Sequence, residues 1–318
     1  MRKLMMVLMV GVLLAAVPVL GGPLVKSRVS GSANWVAHVD IERFNNTQIG
    51  RLVREELKNQ GVEEKLTNFA NIFAFHPLDD VRNVTIYGSG QDRQKAVVLI
   101  EGKFNKERLL ALLCLNPSYK EIEYGEIVVH SWVDKKKDDP DTSETKYGCF
   151  YNDELVVIGA GLEAVKHAID VLNGSAENAA SGVFSQAALD AEGAFFLVAA
   201  NSVSEMVGQE PEAAVLRQTD ELGLAIGEIE GNFYVDLELK TKLEEAAQAI
   251  SKITEGIIAL AALAGEEQPK LAEMAKKVKL SCERNTVRVH FESDPETVFS
   301  FLKEQWKIKQ EKAAQKQS

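Results

Sequence analysis

The sequence has few of the features from which a function can be read directly. Its 3 cysteines in 318 residues are too few and too scattered to form a disulfide framework. Nucleophile elbows, His-Glu-x-x-His motifs, glycine-rich phosphate loops and paired Cys-x-x-Cys sites are all absent. No uninterrupted apolar run after the first 22 residues reaches membrane-spanning length, since the longest, 256–265, has about half of it. The sequence therefore predicts no catalytic, cofactor-binding or metal-binding residue.

Basic residues are also scarce. The chain has 36 Lys and Arg against 47 Asp and Glu, a formal net charge of −11. Because such a surface repels phosphates and anionic lipid, nucleic acid is excluded as a partner. Hydrophobic residues make up 46% of the chain, which is enough for a buried core and excludes a disordered spacer.

The first 22 residues have the layout of a secretory leader. Arg2 and Lys3 precede an apolar run from Leu4 to Leu20, and Gly21 and Gly22 follow. Such a basic start, apolar stretch and small-residue exit predicts export, to the periplasm or beyond. Val19 and Gly21 fit the −3 and −1 positions of a cleavage site, and Leu20 and Gly22 fit nearly as well. A retained leader that tethers the protein to a membrane stays open, whereas lipoprotein processing is excluded because no cysteine lies near the boundary.

Two pairs of segments repeat along the chain. The segment 146–174 aligns without a gap to 279–306, so that Cys149 meets Cys282 and Val156 meets Val289. An earlier pair, starting at Asp79 and Thr219, brings Val98 to Val235. Each member reads as a hairpin followed by a helix, with 231–232 as one turn. Apolar strands at 35–41 and 194–200 open the two halves.

These repeats predict the fold class. We expect an α+β protein of two tandem copies of a strand–helix–hairpin–helix–hairpin–helix unit, with about five strands each. The sheet should be mainly antiparallel, with helices packed on one face. The divisions are a signal peptide at 1–22, a first repeat at 23–180, a second at 181–306 and a flexible C-terminal tail at 307–318, read as a fraying helix end.

One predicted helix is unusually apolar. Between Leu243 and Ala264 its apolar residues recur at three- and four-residue spacing, and Pro269 begins a second helix. We expect this stripe to pack on the sheet. The alternative is a mobile lid over an apolar cavity.

The polar residues that could suggest metal or catalytic sites are interpreted as ordinary strand and loop residues. His38, His130 and His290 lie in strand patterns, and His76 and His167 are isolated, so none is predicted to bind metal. The acidic loop 135–144 is predicted as a solvated connection and not a calcium site. Asp236 and Glu238 share one face of a strand, as do Glu228 and Glu230, which is typical of exposed strands.

The cysteines are predicted to be thiols. Cys149 and Cys282 lie among apolar strand residues and are expected to be buried. One disulfide among the three cysteines stays open, and the odd count leaves at least one thiol free.

Four stretches carry a family resemblance: 34–44, 78–88, 96–113 and 154–174 (NWVAHVDIERF, LDDVRNVTIYG, AVVLIEGKFNKERLLALL and ELVVIGAGLEAVKHAIDVLNG). They resemble secreted proteins of unknown function from planctomycete-type bacteria, which have a signal peptide and a duplicated α+β unit. The resemblance implies export and the duplicated fold. It supplies no catalytic residue, because none is assigned in that family.

Three functions follow as hypotheses. The first is an exported non-enzymatic protein with a binding or assembly role at the cell envelope, with no integral membrane domain after removal of the leader. The second is a periplasmic carrier of lipid or another apolar ligand, with the helix at 250–264 as its lid. The third is a hydrolase with an unrecognised site, whose pocket would gather Asp, Glu or His from both halves.

The leader gives a first testable prediction. After export, the mature chain is expected to begin at Gly22 or Pro23, because the small residues before these positions fit a signal peptidase. Intact-mass measurement of the exported protein checks this. A mass that still includes Met1 would show that the leader is retained as an anchor.

Overall fold

A computed structural model describes residues 22–135, 143–182, 184, 186–208, 214–266 and 268–314. In this part of the chain, the strands in chain order are β1 (Trp35–Asp40), β2 (Val81–Gly88), β3 (Val97–Gly102), β4 (Lys120–Tyr124), β5 (Ile127–Lys135), β6 (Ser143–Phe150), β7 (Leu155–Gly159), β8 (Ala194–Asn201), β9 (Thr219–Ile229), β10 (Asn232–Thr241), β11 (Val278–Glu283) and β12 (Thr286–Ser293). They form one antiparallel sheet in the order β11-β12-β10-β9-β8-β1-β2-β3-β7-β6-β5-β4.

The helices of the described residues are α1 (Ile41–Asn46), α2 (Gln48–Asn59), α3 (Val62–Phe73), α4 (Lys106–Leu113), α5 (Leu162–Leu172), α6 (Gln186–Leu189), α7 (Val203–Met206), α8 (Glu244–Leu263), α9 (Pro269–Lys276) and α10 (Pro295–Ala314). Several begin at a side-chain cap. The Thr47 side chain accepts the N–H of Gly50, and Asp294, just before Pro295, accepts the N–H of Thr297 at 2.8 Å. Helix α10 continues past residue 306 into the predicted tail.

The predicted fold class is confirmed: the protein is α+β, with one large antiparallel sheet and two tandem units. Equivalent residues of the two halves lie in matching rows across the sheet. One row runs through Ala37, Ile86, Val98 and Ile158, and the other through Phe196, Ile226, Val235 and Phe291. Strands β1 and β8 pair at the centre, so a pseudo-two-fold axis passes between His38 and Leu197.

Three details of the predicted repeat are wrong. The first is the gapless alignment of the two hairpins. Cys149 pairs with Val157 across its hairpin, whereas Cys282 pairs with Val287. The residue of the second hairpin in the position of Cys149 is therefore Lys279, which pairs with His290, and the alignment needs a gap at the turn.

The second error is the turn between β9 and β10. Its central residues are Glu230 and Gly231, both with positive φ, and not residues 231–232. The third is the strand count, because the first half contains an additional hairpin, β4–β5, that the sequence prediction missed.

Most helices cover one face of the sheet, here called the main helical face. Helices α1, α2, α3, α8, α9 and α10 contribute apolar side chains there, against strand residues such as Val39, Ile100, Phe233, Leu239 and Phe291. This is the helix layer that the sequence predicts.

Helices α5 and α6 lie on the opposite face, so the prediction that the helices pack on one face is wrong for these two. Val165, Ala168 and Ile169 of α5 pack there on Leu99 and Val157. The connection from β7 to α5 passes close to the Gln94 backbone at Gly161. Only glycine fits there, because a Cβ on Gly161 would lie 2.1 Å from the Gln94 carbonyl oxygen.

The two halves interlock beyond the shared sheet. Glu228 of β9 accepts the N–H groups of Gln48 (2.8 and 2.9 Å) and Ile49 (3.1 Å), which places a carboxylate on the positive end of α2. Phe44 of α1 meets Phe195 of β8 edge to face, with ring centroids 5.1 Å apart. The boundary between repeats at residues 180 and 181 stays a sequence prediction.

The opposite face of β10 and β12 is a charged ladder. Arg288 donates to Glu238 at 2.8 Å, and His290 lies 2.7 Å from Asp236. Asp236 and Glu238 thus share a partly exposed face, as predicted, and their partners lie on the neighbouring strand. Exposed pairs of this kind stabilise the fold little.

The α1–α2 junction gives a stability prediction. A Cβ on Gly50 would lie 1.9 Å from the backbone oxygen of Phe44, so Gly50→Ala must displace a helix and should cost about 1–3 kcal/mol. The same change at Gly256, an open position in α8, should stabilise by about 0.5–1 kcal/mol. Urea unfolding measures both. A Gly50→Ala variant as stable as the wild type would contradict the tight junction.

Candidate functional site

The structure keeps the histidines apart. His38, His130 and His290 lie in β1, β5 and β12, as predicted, while His76 precedes β2 and His167 lies in α5. Among the described residues, no three His, Cys, Asp or Glu side chains gather in a way that could hold a metal ion. Asp138, Asp139 and Asp141 of the acidic loop lie outside the described residues.

The cysteines are free thiols in the structure. Cys149 is buried, as predicted, and burial raises its pKa to about 12. Cys282 is half-buried and Cys114 is exposed. The open alternative of a disulfide is therefore not realised here.

A polar pocket lies on the opposite face of the sheet, beneath the chain that enters from Gly22. It is lined by Pro23, Val25, Arg28, His38, Asn83, Thr85, Leu99, Glu101 and Leu155. All of these residues belong to the first half. The pocket therefore does not meet the condition set for a hydrolase, which was a pocket that gathers acidic or imidazole groups from both halves.

His38 is the most buried polar group of the pocket, at 2% exposure. Its Nε2 lies 3.0 Å from the Gly22 carbonyl oxygen, which can only accept, so Nε2 carries the proton. The Nδ1 atom then accepts from the Thr85 hydroxyl at 2.8 Å. Burial lowers the pKa of His38, against opposing effects of the Gly22 carbonyl, Asp40 and Glu101, and so favours the neutral ring. Its one lone pair is occupied, which leaves no free base or ligand atom.

The Glu101 carboxylate also has hydrogen-bond partners. One carboxylate oxygen accepts from Arg28 Nη1 and Asn83 Nδ2, each at 2.9 Å. Burial alone would raise its pKa, but the hydrogen bonds and the charges of Arg28 and Arg82 outweigh burial, so the pKa of Glu101 lies below its usual value. The ion pair ties the entering chain to the sheet.

The cavity left between these groups is about 10 Å³, the room of a single water molecule. A substrate or cofactor of ordinary size does not fit. We therefore interpret the pocket as a polar fastening for residues 22–28.

A Ser–His pair lies nearby. Ser30 Oγ is 2.9 Å from His167 Nε2, the distance expected of a nucleophile and its base. However, Ser30 is only 3% exposed and also contacts Ser32. In the described residues, no carboxylate pairs with His167 to complete a triad.

A second buried imidazole lies near the β4 edge. The Tyr119 hydroxyl donates to Glu121 at 2.6 Å and lies 2.8 Å from His130 Nδ1, which must then donate. Burial, with a further contribution from Lys106, lowers the pKa of His130 even though Glu121 opposes it. Burial and the Glu121 carboxylate raise the pKa of Tyr119. The Tyr119 hydroxyl thus connects His130 Nδ1 to Glu121.

The most conspicuous surface feature is the C-terminal part of α8. Ala247 and Ile250, near its start, are buried against Leu239 and Val287. The residues 256–263, here called the α8 tip, extend beyond that cluster. Within the tip, Leu260 is 58% exposed and Leu263 is 81% exposed. The predicted apolar stripe therefore packs on the sheet only near the beginning of the helix.

Helix α8 is also long and apolar enough to cross a membrane, judged by length and composition alone. Only 17% of its most apolar 18-residue stretch is buried. The sequence prediction counted only the uninterrupted apolar run and so underestimated this helix.

Comparison with known proteins identifies no family. No family model and no curated protein matches the chain. Crystal forms III, I and IV of TP0453, a Treponema protein, are similar with TM-scores of 0.41, 0.40 and 0.39 and identities of 7%, 8% and 6%. The matches cover 87%, 88% and 88% of this chain and 96%, 97% and 97% of the other. The resemblance to planctomycete-type proteins stays a sequence prediction.

The state of His38 gives a pH prediction. Its folded pKa is lowered, so the unfolded chain takes up the proton first as the pH falls below about 6.5, and stability falls with it. Between about pH 7.5 and about pH 5.5 this loss should reach up to about 1.4 kcal/mol. His38→Gln, which stays neutral, should remove that part of the loss.

Urea unfolding at the two pH values measures the effect, and Leu115→Gln, at an exposed position without a titratable group, is the control. His130 contributes a loss of the same sign in every variant. An equal loss in wild type and His38→Gln would contradict the assignment.

Proposed function

We propose that the protein is exported and acts without catalysis, by docking at the cell envelope through the α8 tip. The supporting observation is the exposure of Leu260 and Leu263 on a helix whose other end is fixed in the core. Large exposed apolar side chains close together mark interaction sites more often than isolated ones do. The leader at residues 1–22 directs this surface to the envelope.

The other two hypotheses have less support. A carrier needs an apolar void, but the space between α8 and the sheet is occupied by Leu239, Ala247, Ile250 and Val287. A hydrolase needs an accessible reactive group, but His38 and Glu101 already have partners and Ser30 is buried. Docking is the function that makes use of an otherwise unfavourable exposed surface.

Substitution at the tip tests the proposal. The double variant Leu260→Gln, Leu263→Gln should move the leader-processed protein from the membrane fraction to the soluble periplasmic fraction of a Gram-negative host. The reason is that two side chains lose the free energy of leaving water, about 1.5–3 kcal/mol each. Quantitative blotting of the two fractions measures the shift.

Leu115→Gln is the matched control, since Leu115 is 78% exposed but lies outside α8. It should fractionate as the wild type does. If the double variant and the wild type fractionate alike, the α8 tip is not the docking surface.

A further inference from the structure

The α8 tip differs chemically from an ordinary protein-binding surface. From residue 256 to residue 265 the sequence is GIIALAALAG, in which no side chain can donate or accept a hydrogen bond. Stable protein interfaces have about one hydrogen bond per 100–200 Å² and a polar rim. The tip offers none of these groups from its side chains, so hydrocarbon is its better chemical match.

The backbone of the tip is compatible with hydrocarbon. Residues 244–263 form one α-helix, so the N–H groups of the tip are bonded within the helix, whereas its last carbonyls need the C-cap or water. A helix is one of the two structures that can enter a bilayer without unsatisfied backbone groups. The side chains of the tip can therefore enter a bilayer surface while the C-terminal end of the helix stays hydrated.

The depth of entry is limited by the fold. Ala247 and Ile250 are held in the core, and Lys252 and Glu255 follow them before the tip begins. The tip rises about 12 Å at 1.5 Å per residue. Glu266 and Glu267 follow its far end, so charges flank the tip on both sides and it can lie only along the bilayer surface, without crossing a leaflet.

We infer that the α8 tip lies along the surface of an electrically neutral lipid bilayer, with Leu260 and Leu263 inserted among the lipids, and anchors the protein there. This inference rests on the proposed docking function and assigns its partner. Neutral lipid is favoured because the net charge of −11 opposes approach to an anionic surface. The half of α8 that packs on the sheet stays outside the bilayer.

Vesicle flotation tests the inference directly. The chain from Gly22 onward, which contains all the described residues, is mixed with phosphatidylcholine vesicles and centrifuged through a density gradient. The wild type should float with the vesicles. Leu260→Gln, Leu263→Gln should lower the partition coefficient by at least about tenfold, because each glutamine leaves an amide in hydrocarbon.

Two comparisons make the test specific. Leu115→Gln should float as the wild type does, and circular dichroism confirms that every variant is folded. Replacing about a third of the lipid with phosphatidylglycerol should weaken binding at low salt, because surface charge is screened only at high salt. Stronger binding to the anionic vesicles would contradict the choice of neutral lipid.

Failure of this inference can be told apart from failure of the docking function. A folded wild type that does not float, or a double variant that floats equally well, overturns lipid insertion. If the wild type fails to float while envelope fractionation still depends on Leu260 and Leu263, the docking function stands and the partner is a protein. A dimer seen by light scattering and lost in the double variant would then identify a second copy of this chain.

Discussion

The pairing of β1 with β8 is the contact on which the rest of the fold depends. It joins two half-sheets, β1-β2-β3-β7-β6-β5-β4 and β8-β9-β10-β12-β11, into one sheet. Without it, β1 and β8 would each become an exposed edge strand with unpaired backbone groups, and such edges promote aggregation. The apolar rows of both halves continue across this junction, and Phe44 of the first half joins Phe195 and Phe291 of the second half in one buried cluster. The hydrogen bond from α2 to Glu228 and the ring contact between Phe44 and Phe195 can form only because the two strands lie side by side.

The same arrangement explains why the buried polar groups are structural. His38 lies at the centre of the sheet, where burial is greatest and an unpaired imidazole would be costly. The fold satisfies it from two sides, with Thr85 from β2 and the Gly22 carbonyl from the entering chain. Glu101 and Arg28 complete the fastening a short distance away. Chemistry requires a free lone pair or an open space, and this pocket offers neither.

The sequence was sufficient to predict the fold class, because strand alternation and helix caps are local signals. Strands β1 and β8 and the start of α9 at Pro269 all follow from such signals. The gapless repeat failed because a turn changes the register of a hairpin without altering its alternation, as Cys149 and Cys282 illustrate. The β4–β5 hairpin has a strand pattern in KEIEYGEIVVHSW, with Gly125 at its turn. It was missed because the second half has no corresponding hairpin to align with it. The exposure of Leu260 and Leu263 depends on where α8 leaves the sheet, which no local pattern encodes.

The uncovered charged ladder on β10 and β12 has a consequence for how the two halves tolerate substitution. In the first half, α5 packs on that face, so residues such as Leu99 and Val157 are constrained by volume. In the second half the corresponding face contacts solvent, and Asp236, Glu238, Arg288 and His290 are constrained only by weak, replaceable ion pairs. Drift between two copies of an ancestral unit would therefore accumulate at alternate strand positions. Similarity between the two units should then persist on the face that packs against helices and be lost on the face that contacts solvent.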